Sequence, residues 1–134
     1  DPIEALGDFL DEHNHGLLVT RQTLGNDHRA TYAILKEPRG PIIGRGELEK
    51  DVLCLSIFAL KKWCAKTYRS FAWVRERLKE EGVLVKVGQK SLGKGTQFLT
   101  VQTNCLWLDL SNPKLGNCFA RVVEEVREEG VVNQ

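Results

Sequence analysis

The chain has no methionine, only three histidines, and no C-x-x-C pair among its four cysteines. Each shortage excludes a class of protein. Zinc sites usually draw on closely spaced ligand pairs, whereas Cys54, Cys64, Cys105 and Cys118 lie far apart, each among apolar neighbours. A disulfide framework needs an oxidising compartment, and nothing else in the chain indicates one. The four are expected to be reduced, buried, small hydrophobes. No run approaches the ~18 apolar residues of a membrane span, and the N-terminus lacks a basic-then-apolar signal pattern. No membrane role and a cytoplasmic location are therefore expected. The missing methionine and the abrupt start at "DPIEALGDFL" are what a domain cut from a longer protein would show.

Catalytic clusters are missing as well. His13, His15 and His28 all fall in the first quarter, and neither a G-x-S-x-G elbow nor H-E-x-x-H occurs. "HNH" at His13–His15 consists of adjacent residues at a helix end, which cannot converge on one metal. Gly88-Gln-Lys-Ser-Leu-Gly93-Lys94 fits seven places of a phosphate-binding loop. Gly95 stands where that loop needs Ser or Thr for Mg²⁺, and the following "TQFLTVQ" reads as a strand rather than the required helix. No catalytic residue, metal or cofactor is expected, and the chain is not expected to be an enzyme by itself.

What the chain does have is charge in an uneven distribution. It is 134 residues long, 42% hydrophobic and 28% charged, with a net charge of +1; that is one ordinary globular domain. Residues 1–60 carry 6 basic and 10 acidic side chains, residues 61–94 carry 10 and 3, and residues 95–134 carry 3 and 5. A basic excess confined to 61–94 is what an anionic partner would feel locally.

Hydrophobic spacing gives the elements. Ile3, Leu6, Phe9 and Leu10 predict an amphipathic helix from Pro2, ended by Gly16. "LLVT" and "TYAILKE" read as strands around a turn at Gly25-Asn26-Asp27. Ile42–Leu48 and Val52–Leu55 read as a hairpin around Glu49-Lys50-Asp51. Ser56 and Ser70 are N-caps for two helices separated by Tyr68-Arg69-Ser70, the second closed by Gly82. "VLVKV", a Gly/Lys-rich turn, and "TQFLTVQTNCLWLDL" form a second hairpin. A closing helix at 116–130 places Phe119, Val122, Val123 and Val126 on one face.

The second capped helix points Phe71, Val74 and Leu78 inward at 100° per residue. Tyr68, Arg69, Ser70, Ala72, Trp73 and Arg77 are then the residues nearest a bound DNA, with Arg77 and Trp73 the candidates for base contact. Packing of Trp73 against the extra N-terminal strands is the competing reading. Lys86, Lys90 and Lys94 on the glycine-rich hairpin, and Lys61, Lys62 and Lys66 on the preceding helix, are expected to follow phosphates.

The run "CLSIFALKKWCAKTYRSFAWVRERLKEEGVLVKVGQKSLGKGT" resembles winged helix-turn-helix domains. More loosely it resembles those attached to helicase, primase or relaxase-type proteins of plasmids, phages and integrative elements. The resemblance covers 56–110, with a β-rich insert at 17–55. It implies an α+β winged helix-turn-helix fold and a DNA-binding accessory module of a mobile-element replication or transfer protein. The implied partners are DNA, duplex rather than single-stranded, and other domains of the parent protein. A protein-interaction module and a free-standing transcriptional regulator are the alternatives.

Overall fold

A computed structural model describes the backbone of residues 1–132 and the side chains of residues 1–124. The fold is α+β. Its helices are α1 (Pro2–Glu12), α2 (Ile57–Lys66), α3 (Phe71–Glu80) and α4 (Pro113–Val132). The strands are β1 (Leu17–Leu24), β2 (Ala30–Lys36), β3 (Gly44–Glu47), β4 (Val52–Ser56), β5 (Leu84–Ser91) and β6 (Gln102–Asp109). They form one sheet in the order β2-β1-β3-β4-β6-β5, antiparallel throughout except for β1 beside β3. The segment 17–55 thus extends the same sheet as the β5–β6 hairpin rather than forming a layer of its own.

Alternation within the strands gives the sheet two apolar faces. Leu53, Leu55, Leu106 and Leu108 enter the main core with Leu6, Phe9, Val74, Leu78 and Phe119 of the helices. Their neighbours Cys54 and Cys105 point the other way, into a small cluster with Leu92, where Trp107 packs as well. A strand buried on both faces reads as a continuous apolar run, as "VLCLS" does. All four cysteines are free; Cys54, Cys64 and Cys105 are buried and Cys118 is half-buried. Burial is the leading cause that raises each thiol, pushing Cys54 up to about 12 and Cys105 to about 11, which disfavours the reactive thiolate.

The expected caps form. Ser56 accepts from the Ala59 amide and Ser70 from the Trp73 amide, each satisfying an orphan N–H of a first turn. Gly82, at φ +74°, follows α3 in the left-handed conformation that ends helices without a Cβ clash. Several boundaries differ from the expectation: β1 continues to Leu24 and β5 to Ser91, each four residues past the strand read from sequence. α1 stops at Glu12, and Gly16 closes a short 3₁₀ turn instead. The segment Thr96–Val101, read as strand from its β-formers, is irregular, and β6 begins at Gln102. α4 begins at Pro113; Phe119 and Val122 are buried, while the side chain of Val126 lies outside the described residues.

Candidate functional site

The α2–α3 pair carries most of the basic segment, and its cations fall into two groups. On the side facing α1, Arg69 donates to Asp8 at 3.0 Å and lies 4.6 Å over the Trp63 ring. Arg77 pairs with Glu80 at 3.0 Å and approaches Glu81 at 3.9 Å. Trp73, 48% exposed, shares a cleft with Asp1, Glu4 and Asp8 of α1. It packs beside α1, not against the N-terminal strands. The residues first assigned to base contact therefore stand among carboxylates.

The side of α3 that faces α2 is different. Phe71 is flanked by the Lys61 ammonium at 5.3 Å and the Arg75 guanidinium at 5.8 Å from its ring. Arg75 and Lys79 are one turn apart on this flank. Lys61, Lys62, Lys66, Arg75 and Lys79 are exposed, and none makes an ion pair with a described residue. Arg75 and Lys79 were missed from sequence. The wheel separates core from solvent, but it does not say which solvent-facing flank meets the neighbouring helix.

Tyr68 joins the two helices. It is 99% exposed and holds φ +59° just past the end of α2, where glycine or asparagine is usual. A bulky residue in the left-handed region costs about 1–2 kcal/mol, and this one gains no burial in return. Tyr68→Gly is accordingly expected to leave the melting temperature unchanged or raise it. A loss of several degrees on thermal unfolding would show that the tyrosine supports the fold.

The hairpin lysines do not join the helix pair. Lys86 and Lys90 lie 4.2 and 5.4 Å over Trp107, on the sheet face opposite α3. Lys90 is only 13% exposed, with its ammonium 2.5 Å from the carboxylate of fully buried Glu47. It is not the free, flexible lysine expected of this hairpin. Burial alone would raise the Glu47 carboxyl; the Lys90 contact and the charges of Lys90, Arg45 and Lys50 outweigh it and hold the group below its ordinary range. Buried Arg45 lies 3.6 Å from Glu47 and donates to the carbonyls of Leu92, at 3.1 Å, and Lys94, at 2.5 Å. The hairpin tip is thus pinned across the sheet. At Gly93 a Cβ would sit 2.0 Å from the Phe98 carbonyl oxygen, so only glycine allows this fold-back. The Lys94 side chain remains exposed on that side.

His13 stacks on Phe9 at 4.5 Å, a packed helix-end role. Among the described residues no group of three His, Cys, Asp or Glu side chains could hold a metal. Among them, too, no helix is long and apolar enough to cross a membrane. No family model, curated protein or solved structure matches this chain.

Proposed function

We propose that this domain binds duplex nucleic acid through the α2–α3 pair, with phosphates seated along Lys61, Lys62, Lys66, Arg75 and Lys79. The observation that carries the reading is that these five cations are exposed on neighbouring helices and pair with no described residue, while the other cations of the helix pair are matched by carboxylates. Compensated arginines offer a phosphate little net charge; unpaired ones release counterions when they meet it. Tyr68, exposed and strained between the helices, is placed to touch a sugar or a base edge.

The element order supports a winged helix-turn-helix reading of the domain. A helix, a strand, two capped helices and a hairpin follow one another, with β4-β6-β5 as the three-stranded part of the sheet. On this reading β1–β3 are inserted between the first helix and the first strand of the motif. The docking face then lies toward α2, because Glu76 and Glu80 occupy the outward side of α3 and repel a deep approach to the groove. A parent protein of mobile-element replication or transfer is proposed on the sequence resemblance alone.

Salt dependence tests the reading. With about five phosphates neutralised, affinity for a labelled duplex should fall roughly 500-fold between 50 and 200 mM salt. Binding that ignores ionic strength would favour protein docking at this face instead.

A further inference from the structure

Two exposed aromatic residues bracket helix α2. Phe58, in its first turn, is 75% exposed, and Tyr68 stands almost wholly in solvent just past its end. Neither ring belongs to a core cluster, although Ile57, Ala59 and Phe71 beside them pack against the main one. At about 100° per residue, Phe58 falls between Lys61 and Lys62 on the helix surface, with Ala65 on the same line. All four are exposed. The stripe thus runs from one ring, past two lysines and a small residue, toward the other ring.

This combination narrows the ligand. A phosphate backbone by itself needs only the cations. Rings held in water beside them are covered favourably by a polyanion that also carries flat, open, apolar faces. In a closed duplex those faces are stacked on one another, and only base edges reach the grooves. Unpaired bases leave them open, and aromatic side chains stack on such bases whatever the sequence. Phe58 and Tyr68 lie about 15 Å apart along the helix, too far for one base to bridge, so each ring takes its own. Tyr68 also holds its left-handed backbone with no burial in the free protein, and a stacked base would supply the missing contact.

Resting on the nucleic-acid reading above, we propose that the ligand of this site is a duplex continued by a single-stranded extension, whose unpaired bases stack on Phe58 and Tyr68. Three labelled ligands test it at about 50 mM salt. One is a blunt duplex, one carries a thymine extension of about six nucleotides, and one carries an abasic extension of the same length. The two extensions bear the same phosphates, so the difference between them reads the bases alone. The parent should bind the thymine-extended duplex about tenfold or more tighter than the abasic one. Phe58→Ala/Tyr68→Ala should bring those two within about twofold and keep blunt-duplex affinity within about threefold, while Tyr68→Phe retains the preference. The abasic ligand leaves the protein untouched, so its result does not depend on how a variant folds. Equal binding of both extensions by the parent, or a preference that survives in the double variant, would overturn the proposal and leave the duplex reading standing. Binding to none of the three ligands would remove both.

Discussion

Replacing Glu47 by alanine is expected to destabilise the fold by about 3–5 kcal/mol, the usual cost of breaking a buried ion pair from one side. The carboxylate is fully buried and is approached by Lys90 at 2.5 Å, Lys50 at 3.5 Å and Arg45 at 3.6 Å. Without it, the Arg45 guanidinium stays buried beside Lys90 with nothing to balance either charge. The pH dependence follows from the same group. The Glu47 carboxyl is held below its ordinary value of 4.5 in the folded protein. Its contribution is therefore complete above about pH 5 and is lost as pH falls through the lowered folded value. Urea unfolding should show a fall in stability below about pH 4 that is smaller in Glu47→Gln than in the parent. An alanine variant within about 1 kcal/mol of the parent would mean that the cluster is not a keystone of the hairpin.

The second large effect concerns binding. Lys61→Glu/Lys62→Glu/Arg75→Glu should weaken duplex affinity by about 100-fold or more at 50 mM salt and reduce the salt slope by about three. On the proposed docking, each reversal would remove one phosphate contact and set a carboxylate against the polyanion. All three positions are exposed and make no ion pair with a described residue, so unchanged urea unfolding would separate lost binding from lost structure. Arg69 and Arg77 serve as internal comparisons. Both already sit against carboxylates, so their neutralisation should change affinity by less than about tenfold.

Local signals in the sequence were reliable guides to local structure. Ser56, Ser70 and Gly82 cap helices because their chemistry acts within a few residues. Phe71, Val74 and Leu78 follow from the 3.6-residue period, with Val74 and Leu78 buried and Phe71 at the edge of the core. What the sequence hid was set by distant partners. Lys90 looks free in "GQKSLGKGT", and only the pairing of β3, β4, β6 and β5 brings Glu47 beneath it. Arg45, in "GRGE", is buried under the hairpin tip whose carbonyls it holds, 47 and 49 residues further along the chain. Thr96–Val101 has the composition of a strand, but the turn at Gly93 folds it back before β6 begins. The division of the basic segment between paired and unpaired cations is likewise a tertiary fact. Asp8 reaches Arg69 only because α1 packs against α3.

The most direct test of the binding account is an equilibrium titration of one labelled duplex with three proteins at 50 mM salt. These are the parent, the Lys61/Lys62/Arg75 reversal, and Lys86→Glu/Lys94→Glu on the opposite side of the sheet. The account predicts that the first reversal loses about 100-fold or more while the second stays within about threefold of the parent. Equal losses in both, or a loss confined to Lys86 and Lys94, would contradict it and move the nucleic acid to the hairpin.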